Sequence, residues 1–141
     1  MDKIITDKNI LHKISKETTL EEITKLNLIE RLKEATNNAW TDGCGLASIQ
    51  IGIPLRFAWF KYDNKEYTLL NPEIIFKRGK YIYNNEGCLS IPNNYVNTER
   101  YLEIEYINNG KKQRAKGQKA VIIQHEIDHI NGILNIQRKT Q

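Results

Sequence analysis

The sequence predicts an α+β fold in which antiparallel strands pack around a central buried helix that carries an HExxH motif. Three observations lead there: an amphipathic helical pattern before Asp42-Gly43, a β-patterned middle, and a second helical pattern near the end, apolar on most sides. The first helix opens at Thr19, which with Glu22 has the spacing of a capping box; acids at Glu21 and Glu22 suit a helix N-terminus. Leu20, Ile23, Leu26, Ile29, Leu32 and Ala35 then recur at threes, an apolar stripe on one helix that stops before Asp42-Gly43. In the middle, residues 56–62 and 67–70 flank a turn at Asp63-Asn64, and residues 74–77 and 80–83 flank Gly79. Residues 101–107 alternate Leu102, Ile104 and Tyr106 against Glu103 and Glu105, a strand with one wet face. Asn108-Asn109-Gly110 reads as a hairpin turn. The second helix covers residues 118–131, with Val121, Ile122, Ile123, Ile127 and Ile130, and Gly132 as its C-cap.

Composition bounds the function. At 141 residues the expectation is one domain over residues 1–141. Folding at that size buries roughly two-thirds of the unfolded chain's surface. With 40% hydrophobic and 27% charged residues, the chain is neither a disordered tail nor a disulfide scaffold. A net charge of +4 is too small for a dedicated nucleic-acid binder, so no DNA partner is expected. The N-terminus is charged from Asp2 onward, and no apolar run is long enough to span a bilayer. A soluble monomer in a cytoplasmic compartment is expected. Nothing marks Cys44 and Cys88 as a disulfide.

The chemistry concentrates in three segments. His125-Glu126-Ile127-Asp128-His129 is an H-E-x-x-H motif, and residues four apart on a helix present both imidazoles to one metal ion. Glu126 lies on the neighbouring face, within reach of a water there. Four ionisable groups on a buried helix demand pairing or a metal. A catalytic site of this kind wants a third protein ligand. His12 sits in a polar stretch with no motif around it, and Cys88, within Glu86-Gly87-Cys88-Leu89-Ser90, is the stronger candidate because a thiolate suits zinc or ferrous iron. In the third segment, residues 43–50, two glycines and small side chains let the backbone approach a ligand, and the Gln50 amide can donate to a developing oxyanion.

GCGLASIQ, EGCLS and QHEIDH, in this order and spacing, closely resemble the three motifs of peptide deformylase. The resemblance implies hydrolysis of the N-formyl group from the formylmethionine of nascent polypeptides, with release of formate. It implies that Cys88, His125 and His129 hold one divalent metal ion, expected as Fe2+, with Zn2+, Ni2+ or Co2+ able to substitute. Glu126 would be the general base and then acid. Gln50 and the backbone N–H of Leu89 would stabilise the oxyanion. Gly45 would pair its backbone with the substrate as an added strand. Cys44, Val121, Ile122 and the methylenes of Glu86 would line the methionine pocket. Glu86, Asp128 and Arg100 would orient ligands or balance charge, with a plain structural salt bridge as the equal alternative for Asp128 and Arg100.

Several positions depart from the family pattern. Ser48 stands where the family has alanine, and Tyr95 where many members carry a basic residue that contacts the substrate backbone. The chain stops 12 residues after His129 (141 − 129). Many bacterial members continue there into a ribosome-docking helix, so at most a weak ribosome association is expected. The short form is similar to bacteriophage-encoded members, which act in the bacterial host cytoplasm. Two alternatives stay open on the residues alone. One is another H-E-x-x-H metallohydrolase, weakened because no His, Asp or Glu follows His129. The other is a catalytically impaired relative that binds formylated peptides.

Overall fold

The computed structural model describes residues 1–140. After a short helix α1 (Lys8–Leu11), the predicted single helix is two: α2 (Leu20–Lys25) and α3 (Leu28–Asn37). The reason is geometric. A repeat of three lags a 3.6-residue turn by about 60° each time, so the stripe cannot stay on one face. Asn27 breaks the helix with a φ of 52°, a left-handed conformation that asparagine tolerates. The restart turns Leu28, Leu32 and Ala35 into the core and leaves Leu20 and Ile29 exposed. The capping box is half formed. Thr19 Oγ1 accepts from the Glu22 N–H at 3.1 Å, while the Glu22 carboxylate accepts from Thr18 Oγ1 instead, at 2.5 Å.

The strands form two antiparallel sheets. The first holds β1 (Gly45–Ala47), β2 (Phe57–Tyr62) and β3 (Lys65–Leu70), in that order. The glycine-bearing segment before Gln50 is thus a strand, followed by a 3-10 turn over Ser48–Ile51. The second sheet holds β4 (Glu73–Cys88), β5 (Ile91–Asn108) and β6 (Lys111–Lys116). β4 runs unbroken through Gly79, whose φ is 75°. A Cβ on Gly79 would lie 3.0 Å from Leu102 Cβ, so Leu102 packs on bare backbone. Leu102 is nonetheless 51% exposed where the alternation predicted burial; Ile104 and Tyr106 are buried as expected. Both predicted hairpins form, with positive φ at Asp63, Asn64, Asn109 and Gly110.

α4 (Gly117–Ile130) packs between the sheets, against β5 and β6 on one side and β1 and β2 on the other. Ala120, Ile123, Ile127 and Ile130 meet Ala47, Phe60, Leu69, Ile104 and Tyr106 in one core cluster. A second cluster joins α2 and α3 to Leu46, Phe57, Trp59 and Leu89. Gly132 closes α4 with a φ of 76°, and the N–H of Ile133 donates back to Asp128 O at 2.7 Å. These are the helices and antiparallel sheets expected of the α+β class.

Candidate functional site

α4 sets two side chains one turn apart, and β4 brings the third. His125 and His129 present their Nε2 atoms to each other at 3.2 Å, and Cys88 Sγ lies 3.3 Å from His129 Nε2. The three ligand atoms all lie within 4.8 Å of one another. Register shifts on β4 around Glu86 and Cys88 re-aim the strand here, so both side chains are buried beside α4. Burial disfavours the Cys88 thiolate, but His129 and His125 outweigh that and hold its thiol well below the ordinary range. His12 Nδ1 sits 3.0 Å from Gly132 O and belongs to no metal-ligating cluster among the described residues.

The surroundings fix which nitrogen of His125 is free. Its Nδ1 lies 2.8 Å from the Glu86 carboxylate, which keeps a proton on Nδ1 and turns Nε2 toward His129 and Cys88. A cation relieves this convergence of donors: a proton on His125, whose pKa burial lowers but Cys88 and Glu86 raise well above the ordinary value, or a metal ion held by all three. The donor set therefore fits a divalent metal, and a thiolate with two imidazoles suits iron or zinc better than magnesium or calcium.

Glu86 is itself held from three sides. Arg100 donates to it through Nε at 2.8 Å and Nη2 at 2.6 Å, and Thr98 Oγ1 donates at 2.8 Å. Burial favours the neutral acid, but the Arg100 and His125 hydrogen bonds outweigh it and keep Glu86 ionised far below the usual carboxylate range. Arg100 Nη1 also donates to Asp128 at 2.7 Å, and Arg138 closes on Asp128 at 3.0 and 3.2 Å. The Arg100–Asp128 pair is thus a structural ion pair and part of the frame behind His125. In the sequence, Arg100 and Asp128 were only candidate partners, and Arg138 carried no signal.

Glu126 is 3% exposed, and its Oε1 has no hydrogen-bond partner. Burial raises its pKa, although His125 and His129 pull the other way. An unpartnered buried carboxylate whose pKa burial raises is poised to take and return a proton. Gln50 is locked as a donor: its Oε1 accepts from the Ala47 N–H at 2.9 Å, and its Nε2 donates to Ser90 Oγ at 3.0 Å and faces Cys88 Sγ at 3.9 Å. Gly45 needs to be glycine, since a Cβ there would lie 2.6 Å from Phe60 Cβ and 2.9 Å from Trp59 O.

A cavity of about 210 Å³ opens on this cluster. Cys44, Gly45, Gln50, Glu86, Leu89, Val121 and Ile122 all line it, with Cys88, His125 and Glu126. His129 is fully buried behind them. Glu86 contributes chiefly as the anchor of His125, since its carboxylate is turned to Arg100 and His125. Sequence reading missed Trp40, Tyr83, Asn85 and Gln118, which also line the cavity. No motif carries them; β4 brings in Tyr83 and Asn85, the first turn of α4 brings in Gln118, and the loop between α3 and β1 brings in Trp40. Tyr95 lies at the mouth, half exposed, its ring over Gly87.

The family described as Polypeptide deformylase matches residues 1–141. A peptide deformylase of Pseudothermotoga lettingae is 36% identical over 132 residues, covering 90% of this chain and 75% of that protein. One of Helicobacter acinonychis is 37% identical over 111 residues, and the match spans 63% of its length and 70% of this chain. The crystal structure of peptide deformylase from Thermotoga maritima superposes with a TM-score of 0.86 at 33% identity, covering 100% of this chain and 97% of that one. A probable peptide deformylase from Synechococcus phage S-SSM7 superposes with a TM-score of 0.80 at 31% identity, covering 98% of each chain.

Proposed function

This chain belongs to the polypeptide deformylase family, metal-dependent hydrolases of formylated peptides, and from that premise we propose that it removes the formyl group from the N-terminal formylmethionine of nascent polypeptides. The observation that carries the proposal is the convergence of Cys88 Sγ, His125 Nε2 and His129 Nε2 beside the unpartnered carboxylate of Glu126. Cys88, His125 and His129 would hold the ion, which we take to be ferrous iron, with zinc, nickel or cobalt able to replace it. A divalent ion bound there supplies Lewis acidity that makes water a nucleophile near neutral pH.

The chain's own residues do the rest. Glu126 takes the proton of the attacking water and returns it to the leaving amine. The Gln50 amide and the Leu89 N–H receive the developing negative charge on the formyl oxygen. Gly45, at the start of β1, pairs with the peptide backbone. Cys44, Val121 and Ile122 accept the methionine side chain. Residues 1–141 act as one catalytic domain and a monomer in a cytoplasm. Among the described residues no helix is long and apolar enough to cross a membrane. Against the impaired-relative alternative, the chain carries every side chain this reading requires: Gln50, Cys88, His125, Glu126 and His129.

The test is Glu126→Ala. It should keep one metal per chain while turnover of a formyl-Met tripeptide falls by roughly 10²–10⁴-fold. Undiminished turnover would remove Glu126 from the role.

A further inference from the structure

The loop between α3 and β1 forms one wall of the cavity through Trp40, Thr41, Asp42, Gly43 and Cys44. Its attachment is sparse. Among the described residues, one hydrogen bond joins residues 40–43 to the rest of the chain: Trp40 Nε1 donates to Leu89 O at 3.0 Å, across 49 positions of sequence. A steric contact falls on the same partner. The ideal Cβ of Gly43 would lie 2.7 Å from Leu89 Cδ1, so the Leu89 side chain rests on the bare backbone of Gly43. Both ends of the loop thus hold Leu89, which is itself only 7% exposed. Trp40 is 44% exposed, so its ring is not anchored by burial in a core. The other tryptophan, Trp59, is 3% exposed and donates to Glu66.

We propose that Trp40 is a positioning residue: its indole N–H fixes the Leu89 main chain and ties the loop of residues 40–43 over the cavity. The inference rests on the deformylase reading, in which the Leu89 N–H faces the formyl oxygen. The physical basis is that an oxyanion donor acts through preorganisation, and a small displacement of its peptide is felt in the transition state more than in substrate binding. Losing the indole N–H leaves Leu89 O without this bond and frees residues 40–43 of their one hydrogen-bonded anchor. The loop then samples open positions, and the Leu89–Ser90 peptide that carries the freed carbonyl reorients; the Leu89 N–H, in the neighbouring Cys88–Leu89 peptide, shifts with it through the shared Cα.

The test compares Trp40→Phe, which keeps an aromatic ring and loses the N–H, with Trp40→Ala and with wild type, all metal-loaded. Formate release from formyl-Met-Ala-Ser gives kcat and KM. Amide hydrogen exchange on the same proteins reads residues 40–45 and 89–90 directly. Expected for Trp40→Phe are a kcat about 10-fold lower, consistent with loss of one positioning contact, a KM within about twofold of wild type, unchanged metal content, and faster exchange in both segments. Trp40→Ala should exceed it in both effects. Wild-type kcat in Trp40→Phe, or exchange no faster than wild type, would overturn the proposal. If wild type itself released no formate, the deformylase reading would fail, while the exchange comparison would still decide whether Trp40 tethers the loop.

Discussion

Glu86 is the residue that joins structure to chemistry. It is 5% exposed, accepts from Arg100 and Thr98, and orients His125. Glu86→Gln leaves Arg100 buried without one of its two counter-charges, and unfolding free energy should fall by about 3–5 kcal/mol. Chelator-driven metal loss should quicken by roughly 10–100-fold, as for other residues that support a metal ligand. Denaturant melts and timed metal loss read these effects. The Glu86 pKa is depressed in the fold from an ordinary 4.5, so its stabilisation is complete above that pH. Below it the unfolded chain takes up the proton first, and stability falls as pH drops toward the folded value. Melting temperature against pH should therefore decline in acid more steeply for wild type than for Glu86→Gln. The grouping of His125, Glu126 and His129 was legible in the sequence because helical spacing is local, whereas Cys88, on β4, was reached only through its own motif. Arg100 and Arg138 were harder to read, because their roles depend on a strand and a C-terminal turn meeting α4. Trp40 could not be read at all, since its one marked partner lies 49 positions away.

Among the elements, α4 carries the site and Gly132 ends it. A Cβ at Gly132 would collide with the carbonyl of His12, and the φ of 76° is already unfavourable for a side chain. Gly132→Ala should cost about 2–3 kcal/mol, read in urea. A loss below 0.5 kcal/mol (about the range of surface changes) would mean the segment carrying His12 yields freely. This helix was readable because its apolar residues and its terminal glycine agree. The N-terminal helix was read as one element because periodicity was counted without its drift. The strands around Gly79 were read as two because glycine in a strand marks a turn and a bulge alike. Pairing with β5 continues in register across Gly79, from Arg78 with Glu103 to Lys80 with Tyr101.

At the scale of the whole molecule, two hydrophobic clusters, one around α4 and one under α2 and α3, pack without Cys88, His125 or His129. Chelated protein should thus keep its circular dichroism at 25 °C and melt at a lower temperature. Restoring ion to 100 times its dissociation constant should add about 2.7 kcal/mol. An unfolded chelated protein would show that the ion, and not these cores, holds the chain. The α+β class was readable from the order of helical and strand patterns; the partition into two sheets was not, because it depends on where β3 and β4 part. The central claim is a metal-dependent hydrolysis of formyl peptides, and formate release tests it most directly. Protein prepared without oxygen and loaded with one ferrous ion per chain should release formate from a formyl-Met tripeptide and nothing from its acetyl counterpart. Chelated protein should be inactive until ion is returned. A fully loaded protein that binds the formyl peptide and releases no formate would contradict the account.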